Sequence, residues 1–184
     1  MARPRLATVW LDGCSGCHMS FLDLDEALIE LLEVADLVYS PLVDTKEFPE
    51  AVDVTLVEGA ISSEDDLRKI RLVRDRTSLL VALGDCAVTT NVPGMRNPIG
   101  TAAVLERAYV ENVTDEPGAP RGAPRRDVPA LLSEVLAVHE VVDVDVFVPG
   151  CPPSAQLIGE VLTSLLAGDP PEPVERAGGR RSFG

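Results

Sequence analysis

Leu6-Ala7-Thr8-Val9-Trp10-Leu11-Asp12-Gly13-Cys14-Ser15-Gly16-Cys17 is the stretch on which the fold turns. Its first half, Leu6 to Leu11, is apolar and partly β-branched, the length of a buried strand, and Asp12-Gly13 ends it. A short loop carrying Cys14 and Cys17 follows at once. Beyond it Phe21, Leu24, Leu28, Leu31 and Leu32 recur at helical spacing, which predicts one amphipathic helix.

The same order of strand, loop and helix returns downstream. Val34 to Tyr39 reads as a second strand, stopped by Ser40-Pro41, and Val52 to Val57 as a third, ending at Glu58-Gly59. Ser62 and Ser63, each three residues before an aspartate (Asp65, Asp66), form two overlapping capping boxes. Leu67, Ile70 and Val73 give the stripe of the helix they start. Ser78 to Leu83 is a fourth strand ending at Gly84-Asp85-Cys86, and a helix is expected from about Gly100 to Asn112. Residues 113–129 hold Pro117, Pro120, Pro124 and Pro129 with Gly118 and Gly122, an exposed insertion rather than a boundary. Val144 to Val148 is the last strand, closed by Pro149-Gly150-Cys151. Ser154 starts a final helix lined by Leu157, Ile158, Val161, Leu162 and Leu165, and residues 168–184 read as an extended tail. Alternating strands and helices predict one α/β domain over residues 1–184, a parallel sheet flanked by helices whose five strands suit a flavodoxin-like order.

Composition narrows the class of function. The chain has 184 residues, 46% of them apolar and 25% charged, which excludes wholesale disorder. Its 16 basic against 30 acidic residues leave a net charge of −14, the wrong sign for nucleic acid or anionic lipid. Apolar runs such as Leu79 to Leu83 fall far below the ~18 residues of a membrane span. No signal peptide is expected, since the apolar run after Arg3 and Arg5 is short and leads to Asp12, and Pro4 separates those arginines. A cytoplasmic protein is the expectation.

Four cysteines are too few for a disulfide scaffold. Every one follows an expected strand: Cys14 and Cys17 the first, Cys86 the fourth, Cys151 the fifth. In open parallel sheets the loops after the strands share one edge, where ligands bind. Four thiols converging there match an iron–sulfur cubane. A structural zinc site, a dithiol formed by Cys14 and Cys17 alone, and four unrelated core thiols remain as alternatives.

Four motifs carry a resemblance. Trp10-Leu11-Asp12-Gly13-Cys14-Ser15-Gly16-Cys17-His18-Met19-Ser20-Phe21, Val57-Glu58-Gly59-Ala60, Gly84-Asp85-Cys86-Ala87 and Pro149-Gly150-Cys151-Pro152-Pro153-Ser154 resemble the small subunit of [NiFe] hydrogenases. The soluble, NAD-reducing (bidirectional) type is the nearest, from Ala7 to about Leu166, and Asn91 to Pro98 looks like that type too. The resemblance implies an electron-transfer subunit of an H2:NAD+ oxidoreductase. It assigns Cys14, Cys17, Cys86 and Cys151 to one proximal [4Fe-4S] cluster and places Glu58 close to it. It implies a large subunit bearing the nickel–iron centre, and iron–sulfur diaphorase subunits bearing FMN and NAD. Two features depart from exported hydrogenases: the twin-arginine signal and the further cysteine-rich region are missing. Energy-converting hydrogenases and complex I-like assemblies, which also have a one-cluster subunit, are the runner-up.

The remaining candidates divide by setting. Asp12 and Asp85 flank cysteines but, beside glycine, read as turn formers. His18 is expected either to reach a cluster sulfur or partner subunit or to be solvated at the surface. His139 reads as a surface histidine, and Trp10 as a packed strand residue.

Overall fold

The computed structural model describes residues 2–111 and 122–168. Most of the expected insertion, residues 113–121, and the tail beyond Gly168 lie outside the described residues. In chain order the elements are β1 (Arg5–Trp10), α1 (Gly16–Leu22), α2 (Glu26–Val34), β2 (Asp36–Tyr39), β3 (Val52–Glu58), β4 (Ile61–Ser63) and α3 (Glu64–Asp75). There follow β5 (Thr77–Leu83), α4 (Asp85–Thr89), α5 (Asn91–Gly94), α6 (Thr101–Tyr109), β6 (Leu131–Leu136), β7 (Val146–Val148) and α7 (Ala155–Ala167).

The five expected strands form one sheet in the order β2-β1-β3-β5-β7, every pair parallel. This is the doubly wound, flavodoxin-like arrangement. Alternation along the strands feeds two cores, one on each face. Ala7, Val9, Leu80 and Ala82 join Ile70 and Val73 of α3 and Ala87 and Val88 of α4 on one side. Leu6, Val54, Leu56, Val81 and Leu83 meet Phe21 of α1 and Ile158, Val161, Leu162 and Leu165 of α7 on the other. All the strands run the same way, so the loops that follow β1, β3, β5 and β7 emerge at one edge.

One expectation needs correction, and two features were not foreseen. The helix expected through Phe21 and Leu32 is two helices, broken at Asp23–Asp25, where Asp25 takes φ 50°. Apolar spacing hid the break because Leu24 still packs on the core between them. Ser63 caps α3 as expected, but residues 61–63 also form β4, an unexpected strand that pairs antiparallel with β6 in a separate ribbon. Asn97 extends that ribbon: its side chain donates to the Val135 carbonyl at 2.9 Å and accepts the Val135 amide at 2.8 Å. The short helices α4 and α5 had no apolar periodicity to announce them.

Of the two overlapping capping boxes, the second forms. Ser63 Oγ accepts the Asp66 amide at 3.1 Å, and Asp66 accepts the Ser63 amide at 3.0 Å. Replacing Ser63 by alanine removes one of these reciprocal bonds and should cost about 1 kcal/mol. A lower urea midpoint at unchanged m-value checks it; an unchanged midpoint means that the Asp66 carboxylate caps α3 alone.

Candidate functional site

The edge where the loops emerge carries all four cysteines. Cys14 is exposed in the loop after β1, and Cys17 is buried in the first turn of α1. Cys86 is half-buried in α4, directly after β5, and Cys151 is exposed after β7. Burial pushes the Cys17 thiol up to about 12, with Glu58, Cys86, Cys14 and Cys151 adding to the rise in that order. The Cys86 thiol is also raised by burial, offset in part by a hydrogen bond from the Val92 backbone, with Cys14, Cys151 and Glu58 raising it further. Four thiols from three loops thus share one electrostatic neighbourhood. Among the described residues, no three His, Cys, Asp or Glu side chains converge tightly enough to hold a single metal ion.

Short contacts lock the loops together. The Asp85 amide donates to the Gly150 carbonyl at 2.9 Å, and Asp85 Oδ1 accepts the Gly150 amide at 2.7 Å. Asp85 is therefore a tie between the Cys86 and Cys151 loops, more than a turn former. Ser20 Oγ donates to the Pro153 carbonyl at 2.5 Å, joining α1 to the segment after Cys151. Asp12 bridges to Ala60, each amide donating to the other's carbonyl at 3.0 and 2.8 Å. Between these strand ends Gly59 holds φ 94°, and a Cβ there would stand 2.8 Å from the Leu11 carbonyl carbon, so only glycine fits. A Cβ on Gly84 would overlap the Cys17 sulfur.

Glu58 ends the central strand and is only 2% exposed. It is no solvated strand end. Its Oε1 accepts the Cys17 amide at 3.4 Å, and its Oε2 accepts the His18 amide at 2.9 Å and contacts His18 Nδ1. His18 is likewise buried, with Nε2 3.0 Å from Thr8 Oγ1, and Thr8 in turn donates to Ser40 Oγ at 2.8 Å. The expected surface or sulfur-facing histidine is instead held by Glu58 and Thr8. Trp10 corrects the other way: it is 45% exposed, its Nε1 donating to the Gly13 carbonyl at 3.2 Å. His139 is exposed and packs edge-on against Phe147.

Nitrogen donors reach the two exposed sulfurs: the Gly16 amide lies 3.4 Å from Cys14 Sγ, and Asn91 Nδ2 donates to Cys151 Sγ at 3.4 Å. Such donors suit thiolates that carry charge. Sequence reasoning assigns Thr8, Ser20, Ser40 and Asn91 no individual role in the site. Thr8 and Ser40 had a faint signal, as a hydroxyl inside an apolar strand and a serine before proline. Nothing local marked the partners of Ser20 or Asn91.

Comparison with known proteins adds a second line. The family model for the 20 Kd subunit of NADH ubiquinone oxidoreductase matches residues 14–165. The chain is 42% identical over 167 residues to NAD-reducing hydrogenase HoxS subunit delta of Cupriavidus necator, covering 90% of this chain and 80% of that one. It is 40% identical over 168 residues to one subunit of the F420-non-reducing hydrogenase of Methanothermobacter marburgensis, again over 90% of this chain but only 54% of that protein. The chain thus spans about half the length of the latter relative. A crystal structure of an NAD+-reducing [NiFe]-hydrogenase in the H2-reduced state contains a chain that superimposes with a TM-score of 0.89 at 36% identity, covering 96% of this chain and 99% of that one.

The buried Cys17 thiol should be the slowest of the four to alkylate in the cluster-free chain. A thiol at about 12 is ionised roughly a thousandfold less often near pH 8 than one at the ordinary 9.0. Iodoacetamide labelling read by peptide mass should modify exposed Cys14 and Cys151 well before Cys17. Equal rates at all four sites contradict the packed geometry.

Proposed function

This chain belongs to the NADH ubiquinone oxidoreductase 20 kDa subunit family, as a small subunit of the NAD-reducing [NiFe] hydrogenase type, and on that premise we propose that it carries electrons through one [4Fe-4S] cluster. The observation that carries the reading is the delivery of Cys14, Cys17, Cys86 and Cys151 by three loops to one edge of the sheet, where they share one electrostatic neighbourhood. Zinc draws thiolates to about 2.3 Å from a single centre. A cubane instead takes one thiolate at each of four iron corners. When bound, the cluster accepts and returns one electron at a time.

The chain's own residues do the rest. Cys14, Cys17, Cys86 and Cys151 would hold the irons, and the Gly16 amide would offset charge on the Cys14 sulfur. Glu58 stands beside the site as a positioning residue. Both its oxygens are already engaged by the start of α1, so it orients Cys17 and His18 instead of binding iron. Because burial raises Cys17, loading must displace its proton, and metal uptake should release protons.

The electrons would pass between the nickel–iron centre of a large subunit and an iron–sulfur diaphorase carrying FMN and NAD. Docking would use the exposed apolar side chains borne by the cysteine loops and the helices after them: Trp10, Met19, Val92 and Met95. Among the described residues no helix is long and apolar enough to cross a membrane, and we place the assembly in the cytoplasm.

Iron, sulfide and zinc analysis of the complex assembled with its partner subunits tests the reading, with the visible spectrum as a second measure. The expected result is a brown complex whose cluster content falls by one four-iron unit in Cys86→Ala or Cys151→Ala. Full content in either variant, or stoichiometric zinc in a colourless chain, would overturn it.

A further inference from the structure

Two consecutive residues beside Cys86 adopt left-handed backbone without being glycine: Thr90 at φ 67° and Asn91 at φ 35°. For a β-branched threonine this is a genuine outlier. Such conformations persist only where the surroundings over-determine them. Here the Gly94 amide donates to the Thr90 carbonyl at 3.1 Å, and the Thr90 hydroxyl occupies the space that a Cβ on Gly94 would fill. The turn is clamped, and its product is visible. Asn91 Nδ2 reaches Cys151 Sγ at 3.4 Å, across 60 residues of sequence. One strained turn beside Cys86 addresses a thiol of another loop.

Asparagine tolerates left-handed backbone better than most residues, yet the turn does not require it. Glycine occupies left-handed φ at no steric cost, so for backbone shape it is the better residue at position 91. The side-chain amide is what asparagine adds. We infer that Asn91 is a positioning residue of the proposed cluster site: its amide, aimed by the Thr90–Asn91 turn, donates to the Cys151 sulfur and raises the reduction potential of the group ligated there. The inference rests on the proposed electron-transfer function. Reduction adds negative charge, part of which falls on the sulfurs, and an N–H donor stabilises the charged state more than the uncharged one. Losing that donor therefore favours the oxidised form.

The test uses the assembled complex, with iron and sulfide content measured first and an EPR-monitored redox titration second. Asn91→Gly should keep its four irons and its stability, because the turn is relieved, yet show a reduced-to-oxidised ratio roughly 3- to 10-fold lower at fixed ambient potential, tenfold being 59 mV for one electron. Asn91→Asp, equal in size but without the donor and with added charge, should fall further. If Asn91→Gly fails to load, the Asn91→Asp midpoint decides alone. Wild-type midpoints at full iron content overturn the inference and leave the electron-transfer reading standing. A wild-type complex in which this chain gives no four-iron signal overturns that reading, and the inference with it.

Discussion

A carboxylate buried at the end of the central strand sets the terms for everything around it. Glu58 lies inside the molecule, where a group able to carry charge is costly unless each oxygen is satisfied. Its satisfaction comes from the first turn of α1, through the amides of Cys17 and His18 and the His18 ring. That requirement draws α1 onto the end of β3 and so decides where the Cys17 sulfur stands. The register of β1 against β3, with Trp10 opposite Glu58, carries the same constraint into the sheet. Without the carboxylate two amides would be left unpaired in the interior, at about 1–3 kcal/mol each.

Crowding is the second consequence. Once α1 is seated, the loops after β1, β3, β5 and β7 must pass within backbone contact of one another. Gly59 admits the crossing of Leu11 and Asp12, and Gly84 leaves room for the Cys17 sulfur. Asp85 and Ser20 then fasten the Cys151 segment from two sides. The same closeness that assembles the thiols raises Cys17 and Cys86, because burial and neighbouring negative groups both oppose the thiolate. Cys17 and Cys86 are therefore held as thiols until something positively charged replaces their protons.

What the sequence revealed, and what it hid, follows from the range of the interactions. The five sheet strands were legible because strands buried on both faces are near-continuous apolar runs. The four cysteines were legible because each sits directly after such a run, so the direction of the sheet alone brought them to one edge. Trp10 and His18 exchanged places for a non-local reason. Trp10 is the last residue of β1, where the helical layer no longer covers the sheet, and its ring emerges half into solvent. His18 is polar and close to a loop, yet Thr8 from β1 and Glu58 from β3 meet it inside. Neither partner is within nine residues of it in the chain, so no local pattern announces its burial. The break at Asp23–Asp25 was masked by Leu24, and the β4–β6 ribbon by its length and by a partner more than sixty residues away.

The two halves of the site are not equivalent, and the difference bears on its use. Cys17 and Cys86 lie inward, one buried and one half-buried, while Cys14 and Cys151 face out. A group held by all four would have one side insulated by the sheet and the other open at the surface. Electron exchange needs such an open side, and it needs another protein there, since an iron–sulfur group left in water has no insulating wall. The two outer sulfurs also differ in their donors: the Gly16 backbone amide reaches Cys14, but Cys151 depends on the Asn91 side chain. A backbone donor is fixed by the fold, whereas a side-chain donor can be changed by one substitution without moving the chain. In the proposed cluster site, the outer corner at Cys151 is thus where the electronic properties would vary while the architecture that Glu58 imposes stays the same.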